Sequence, residues 1–285
     1  MYEEAIDSYK QALRIDPDDA ETHNNLAVAY GKSDKYQEEI ESYKKAIEID
    51  PDFALAHYNL GVAYHNLEMY EEAIDSYKQA LRIDPDYTKV HYNLGVAYHN
   101  LEMYEEAIDS YKQALRIDPD FANAHNNLGL AYGKSDKYQE EIESYKKAIE
   151  IDPDDAKAHL NLGIAYGESD KYQEEIESYK KAIEIDPDYA KAHLNLGVVY
   201  DELGKYKEAI EAYKQAIRID PDDALAHYNL ACCYSLLGNV NKALESLGRS
   251  IDLGFDDIKH IENDSDLNGL RDEAGYKKLI NKLKS

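Results

Sequence analysis

Apolar side chains recur three and four positions apart along most of the chain, in pairs of short segments joined by tight turns. In residues 54–87 this spacing predicts two amphipathic helices, at about 55–67 and 71–82. The apolar positions that define them are Leu60, Ala63, Tyr64, Leu67, Tyr70, Ala73, Ile74, Tyr77, Ala80, Leu81 and Ile83. Pro85 must follow the second helix, because proline disfavours the helical conformation of the residue before it. The basic element is therefore a helical hairpin.

The hairpin repeats with a period of 34 residues, which is the spacing of all seven prolines. A fixed period of this size indicates stacked hairpins, each with an apolar side too large to bury alone. Positions within a repeat are numbered 1 to 34, with residue 20 as position 1 of the first full repeat. On this basis we divide the chain into three parts. Residues 1–19 are a partial repeat with a second helix only, residues 20–257 are seven repeats, and residues 258–285 are a C-terminal capping helical segment.

The repeated residues carry a family resemblance. Ala-Leu-Ala-His-Tyr-Asn-Leu-Gly-Val-Ala-Tyr at 54–64, followed by Tyr70, Ala73, Tyr77, Ala80 and Pro85, resembles the tetratricopeptide repeat (TPR). The match recurs from residue 2 to about residue 253. The resemblance implies an all-α solenoid, a right-handed superhelix of antiparallel helix pairs. It also implies that the first helices line a concave groove and that the second helices face outward.

Two positions depart from the family pattern. The fourth position of every repeat is histidine instead of a large aromatic residue, and we interpret these histidines as semi-buried packing groups. The twentieth position, which is small in the family, is Glu39, Glu141 and Glu175 in three repeats. We expect each glutamate to run its stem along the helix contact and to extend its carboxylate into water.

The chain carries 58 acidic and 32 basic residues, a net charge of -26. This charge repels polyanions, so we expect neither nucleic acid nor an anionic membrane surface as a partner. No stretch approaches the roughly 20 apolar residues of a membrane span, and residues 1–4 lack a signal-peptide pattern, which together favour a cytoplasmic location. The acidity lies in the second helices and the Asp-Pro-Asp turns, with only Glu21 at a groove position, so the groove is predicted to be nearly uncharged.

Nothing in the sequence points to catalysis, a metal or a cofactor. It contains no glycine-rich phosphate loop, no His-Glu-x-x-His and no Gly-x-Ser-x-Gly. Seven histidines share the fourth position, and equivalent residues of stacked helices lie about 8 to 10 Å apart, too far to share one metal. Cys232 and Cys233 replace a Val-Ala pair in mid-helix, and we interpret them as small apolar filler. We therefore expect a protein without enzymatic activity.

Asparagine occupies the sixth position of every repeat, on the expected groove side: Asn25, Asn59, Asn93, Asn127, Asn161, Asn195 and Asn229. An amide offers donors and an acceptor, which match the N–H and C=O groups of an extended peptide. The surrounding His-Asn-Asn-Leu and His-Tyr-Asn-Leu segments resemble the repeat arm of the O-linked N-acetylglucosamine transferase, although no transferase domain is present. That resemblance implies an amide ladder that holds a peptide. The alternative is that each amide bonds a backbone group of the adjacent repeat.

Further groove candidates flank the amides. The ninth position is apolar throughout, the fifth is often tyrosine, the second includes lysines, and two additional histidines face the groove. These candidates are Val62, Val96, Leu130, Tyr58, Tyr92, Lys157, Lys191, His65 and His99. Apolar strips beside amides suit a bound peptide, so we predict an interaction scaffold for an extended peptide or partner protein.

The two ends raise alternatives. The helix of about residues 3–14 lacks a partner and is expected to expose Ala5, Ile6, Tyr9 and Leu13. This edge predicts either a homo-oligomer formed through the N-terminal helix or a targeting arm cut from a larger multidomain protein. At the other end, a helix near 271–283 is expected to cover the last repeat.

Overall fold

A computed structural model describes residues 2–284. Within that range the chain forms seventeen α-helices and one 3-10 helix, and it forms no strand. The predicted all-α class is confirmed. The described residues divide into two compact units, of which the first ends at Ile151 and the second begins at Asp152.

In the first unit, a single helix precedes four helix pairs. The helices are α1 (Tyr2–Ile15), α2 (Ala20–Gly31), α3 (Tyr36–Ile49), α4 (Ala54–Asn66), α5 (Tyr70–Ile83), α6 (Thr88–Asn100), α7 (Tyr104–Ile117), α8 (Ala122–Gly133) and α9 (Tyr138–Ile151). The bounds of α4 and α5 agree with the apolar spacing to within one residue at each end.

In the second unit, three helix pairs precede a short helical tail. The pairs are α10 (Ala156–Gly167), α11 (Tyr172–Ile185), α12 (Ala190–Glu202), α13 (Tyr206–Ile219), α14 (Ala224–Leu236) and α15 (Val240–Asp252). The tail comprises α16 (Ile258–Asn263), the 3-10 helix Ser265–Leu270 and α17 (Ala274–Lys284).

In five of the helix pairs, a glycine of the first helix lies against a tyrosine ring of the second. A Cβ atom on Gly61 would lie only 2.5 Å from Cε1 of Tyr77, whose side chain is 1 % exposed. The same contact joins Gly163 to Tyr179 in the second unit. Because glycine has no side chain, the tyrosine ring can rest on the backbone of the first helix and bury its large apolar surface there.

The fourth-position histidines connect each first helix to the turn before it. In every repeat, ring Nε2 lies 2.8 to 3.1 Å from the carbonyl oxygen of the proline six residues earlier. A carbonyl oxygen can only accept, so Nε2 carries the hydrogen and donates it. Five of these histidines are semi-buried, as predicted, and His159 and His193 are buried. Their shared hydrogen bond explains the residue type where packing alone does not.

The prediction for α1 is wrong. The four residues expected to be exposed, Ala5, Ile6, Tyr9 and Leu13, pack against α2. Ile6 is 1 % exposed and lies with Leu26 and Tyr30, whereas Ile15, at the end of α1, is 88 % exposed. Contact with α2 therefore buries Ile6 and leaves Ala5, Tyr9 and Leu13 half-buried. Across residues 2–284, no helix is both long and apolar enough to cross a membrane.

The tail packs on the last helix pair. The 3-10 helix contacts α14, and α17 contacts α15. The hydroxyl of Tyr228 on α14 donates a 2.5 Å hydrogen bond to Oδ2 of Asp264, and the ring of Phe255 stacks on that of Tyr228 at 4.3 Å. Leu267 and Leu270 are fully buried. The tail thus covers side chains of α14 that would otherwise face solvent.

Candidate functional site

The surface built from positions 2, 5, 6 and 9 of the first helices is called the first-helix face below. In the first unit, its sixth-position amides are held by fifth-position side chains of the preceding repeat. Nδ2 of Asn59 donates to Oδ1 of Asn24 at 3.0 Å. Nδ2 of Asn93 donates to the hydroxyl of Tyr58 at 3.1 Å, and Nδ2 of Asn127 donates to that of Tyr92 at 2.9 Å. These bonds join neighbouring first helices through side chains, not through the backbone groups considered from the sequence.

The candidates beside these amides remain partly accessible. The side chains of Val62, Val96 and Leu130 are half-buried, and that of Val28 is 40 % exposed. Each of these bonds uses one of the two N–H groups of the amide, and the three asparagine side chains are half-buried. The first unit therefore presents fixed amides next to half-buried apolar side chains.

The rings of Tyr58 and Tyr92 contribute to the helix packing as well as to the face. Tyr58 contacts the ring of Tyr87 at a centroid distance of 5.2 Å, and Tyr92 contacts that of Phe121 at 4.8 Å. Burial raises the pKa of both hydroxyls, so they stay protonated and can donate as well as accept. Their position fixes the amides of the next repeat.

The imidazoles of His65 and His99 lie at position 12 of their repeats. Each ring meets a tyrosine edge-on, Tyr70 at 5.2 Å and Tyr104 at 5.3 Å. Nδ1 of each is buried without a hydrogen-bond partner in the described part of the chain. Burial lowers the pKa of both imidazoles, which are therefore neutral near pH 7.

Two of the three glutamates at position 20 are buried, so the prediction that their carboxylates extend into water is wrong for Glu141 and Glu175, whereas Glu39 is half-buried. Glu141 is 5 % exposed and Glu175 is 8 % exposed. Each repeat with a glutamate at position 20 has glycine at position 12, and the carboxylate fills the space that a side chain would occupy there. A Cβ atom on Gly167 would lie 2.8 Å from Oε1 of Glu175, and one on Gly133 would lie 2.5 Å from Oε1 of Glu141.

The repeats therefore use two combinations of residues at positions 12 and 20. Repeats with alanine at position 20 carry a side chain at position 12, as in the pairs His65–Ala73 and His99–Ala107. Repeats with glutamate carry glycine, as in Gly31–Glu39. The residues at positions 12 and 20 can be read from the sequence. That one fills the space left by the other follows only from the distance between the two helices.

In the second unit, Gly167 and Glu175 line a cleft of about 580 Å³ on the first-helix face. Its lining includes two predicted groove residues, Lys191 and Asn195, between the apolar side chains of Ile164 and Val198. The acidic residues of this cleft are Asp170, Glu175 and Glu202. The prediction of a nearly uncharged groove is therefore wrong here, because a carboxylate of the second helix reaches the first-helix face over Gly167.

Glu175 has an unusual electrostatic environment. Its Oε2 atom is buried and has no hydrogen-bond partner in the described structure. Desolvation raises the pKa of this carboxyl to about 7, helped by the charge of Glu202 and opposed by a hydrogen bond with Tyr179. A buried carboxylate with an unsatisfied oxygen is costly unless a donor or a proton reaches it.

The remaining predicted residues are distributed unevenly. Asn25, Asn161 and Asn229 are half-buried, and Lys157 is exposed. Cys232, at position 9 of α14, is 4 % exposed beneath the tail, and burial raises the pKa of its thiol. Among residues 2–284, no group of three or more His, Cys, Asp or Glu side chains is arranged to hold a metal ion.

Comparison with solved structures gives relatives of the same architecture. The crystal structure of MamA is 28 % identical with a TM-score of 0.56, covering 58 % of this chain and 97 % of its own. The crystal structure of YrrB, described as a TPR protein with an unusual peptide-binding site, is 28 % identical with a TM-score of 0.57, covering 66 % of this chain and 96 % of its own. The C-terminal part of a TPR repeat-containing protein from Cytophaga hutchinsonii reaches a TM-score of 0.68 at 20 % identity, covering 80 % and 94 %.

Among curated protein sequences, none matches the chain. Family comparison gives matches along nearly its whole length. The family described as TPR repeat matches residues 1–34, 32–68, 101–136, 134–170 and 168–204. Two families described as Tetratricopeptide repeat match residues 54–87 and 190–223, and residues 76–109 and 212–245. The chain belongs to the tetratricopeptide repeat family.

Proposed function

We propose that this protein is a non-enzymatic interaction scaffold whose first-helix face binds an extended peptide or an extended segment of a partner protein. The observation that carries the proposal is the row of oriented amides in the first unit. Asn59, Asn93 and Asn127 are each fixed by a side-chain hydrogen bond to the preceding repeat. Groups oriented before binding lose little conformational freedom when a ligand arrives.

An extended backbone suits this face for two reasons. Its peptide groups alternate donors and acceptors, and each amide of the row offers both. Its side chains can rest on the half-buried Val62, Val96 and Leu130. The description of YrrB as a protein with a peptide-binding site supports the same use of this architecture.

The matched experiment separates ligand contact from helix packing. Asn93→Ala with Asn127→Ala removes two amides together with their bonds to Tyr58 and Tyr92. Tyr58→Phe with Tyr92→Phe removes the same two bonds but leaves the amides on the face. Peptides selected from a displayed library of random dodecapeptides provide the probe, and binding is measured by fluorescence anisotropy.

We expect the asparagine variant to bind the selected peptides with an affinity lower by about tenfold or more, because two amide contacts of about 0.5 to 1.5 kcal/mol each are lost. The phenylalanine variant should weaken peptide binding less, because the amides remain on the face and lose only their fixed orientation. Equal losses would mean that the amides act only through packing, and an unchanged affinity in the asparagine variant would refute the ladder. Failure to select any peptide would refute peptide binding as a whole.

Two alternatives have less support. Self-assembly through α1 was predicted from an exposed apolar stripe, but that stripe packs on α2. Light scattering across a concentration range tests what remains of this proposal, and a species of constant monomeric mass would exclude it. A role as the targeting arm of a larger protein is compatible with the same face, and the peptide selection tests that face directly.

A further inference from the structure

The cleft on the first-helix face of the second unit combines an apolar wall with an unbalanced charge. Ile164 and Val198 provide apolar surface, and Asp170, Glu175 and Glu202 provide three carboxylates. Lys191 is the one basic residue in the lining. An excess of acidic groups around a cleft favours a ligand of positive charge.

The Glu175 carboxylate bonds Tyr179, and its second oxygen, Oε2, indicates where that ligand would bind. The side chain is 8 % exposed, and its Oε2 atom has no partner within residues 2–284. Lys191 lines the same cleft, but among residues 2–284 no ion pair joins Lys191 to Glu175. A cation with N–H donors would satisfy this oxygen, and charge-assisted hydrogen bonds of this kind are the strong ones.

We propose that this cleft is a subsite for the guanidinium or ammonium group of an arginine or lysine side chain of the bound peptide. The inference rests on the proposed function, since the cleft shares Asn195 and Lys191 with the predicted groove. The stem of such a side chain can lie along Ile164 and Val198 while its head meets the carboxylates. The volume of about 580 Å³ accommodates a long side chain.

An organic cation fits these residues better than a metal ion. No set of three or more metal-ligating side chains is arranged for coordination in the described chain. A planar guanidinium presents several N–H donors in a fixed fork, which can reach more than one carboxylate at once. Recognition by Glu175 and Glu202 together would favour arginine over lysine.

The first unit contains a matched control. Glu39 lies over Gly31 as Glu175 lies over Gly167. Burial raises the pKa of both carboxyls, but the charge of Lys32 opposes the rise at Glu39, whereas the charge of Glu202 adds to it at Glu175. Replacing Glu39 thus tests the same helix contact without the second carboxylate.

The charged groups around Glu175 determine how binding depends on pH. The turn after α10 contributes Asp170, α11 contributes the hydroxyls of Tyr172 and Tyr179, and α12 contributes Lys191 and Glu202. A bound cation stabilises the ionised carboxylate, so the peptide should bind more weakly as the pH falls below about 7 and Glu175 takes up a proton.

The test compares random dodecapeptides selected by display on the full chain and on three variants, Glu175→Gln, Glu175→Ala and Glu39→Gln. Glutamine keeps the shape of the side chain, and alanine is the residue that other repeats carry at this position, which guards against a folding defect in either variant. We expect arginine or lysine at one fixed position in peptides selected on the unchanged chain and on Glu39→Gln. Both Glu175 variants should lose that preference and bind the basic peptides about tenfold or more weakly.

The outcomes separate this inference from the proposed function. If the selected peptides show no preference for arginine or lysine, or keep that preference in both Glu175 variants, the proposed cation subsite is wrong. The proposal of a peptide-binding scaffold is then unaffected. If no peptide is selected, the proposed function fails, and N-acetylarginine amide then probes the cleft alone. A shift in the carboxyl carbon resonance of Glu175 on adding this compound would support a cation site, and no shift would overturn it.

Discussion

Replacing Glu175 by glutamine should change the pH dependence of stability in a calculable way. Glutamine resembles the protonated carboxyl in shape and charge, so the variant keeps the neutral form at every pH. In the folded chain, burial raises the pKa of Glu175 from 4.5 to about 7. Ionising a carboxyl against that shift costs about 3 kcal/mol when it is complete.

The sign follows from proton binding. Between pH 4.5 and about 7 the folded state holds a proton that the unfolded state has released, so stability falls as the pH rises. The cost is complete above pH 7. About 2 of the roughly 3 kcal/mol should develop between pH 5.5 and pH 8.5. Glu175→Gln should therefore gain stability over the unchanged chain by about that amount across this interval.

The suitable assay is hydrogen exchange of the amides in α10 to α12, because repeat arrays do not always unfold in one step. Comparing chains at the same pH cancels the intrinsic pH dependence of exchange. Glu177→Gln is the control, since Glu177 is exposed on the same helix and the substitution changes the charge equally. A stability difference between Glu175→Gln and the unchanged chain that stays constant from pH 5.5 to 8.5 would refute the raised pKa.

Two further predictions concern single hydrogen bonds. His91→Ala should reduce the protection of α6 by about 1 kcal/mol, because Nε2 of His91 donates to the carbonyl oxygen of Pro85 at 2.8 Å; hydrogen exchange checks this, and undiminished protection would mean that the bond is not formed in solution. Tyr228→Phe should lower the stability of the tail by about 1.5 to 3 kcal/mol, since the hydroxyl bonds the carboxylate of Asp264; faster proteolysis within residues 258–284 is the expected result, and an unchanged rate would contradict it.

The fold was predictable from the sequence because its determinants are local. Apolar spacing sets the two helices of a repeat, and each proline ends one unit. The bounds of α4 and α5 followed to within one residue. The candidate amides were also identified from their period, but not their partners, because a bond such as that of Asn93 to Tyr58 spans 35 residues.

Predictions of side-chain exposure were wrong where the side chains of two neighbouring helices contact each other. The sequence placed Glu175 on an outward-facing second helix, and its charge was assigned to the back of the protein. In the structure, the missing side chain of Gly167 lets that carboxylate reach the first-helix face. Likewise, Ile6 was expected to be exposed and is buried by α2.

The sequence by itself determined the repeat, the helix pairs and the family, since each depends on residue types at fixed intervals along one chain. Only the tertiary structure decided which charges reach the first-helix face. Whether a side chain fits at position 12 depends on the residue opposite it on the next helix. The distance between the two helices is set by packing. The contact between Gly167 and Glu175 is therefore visible only when both helices are placed in the structure.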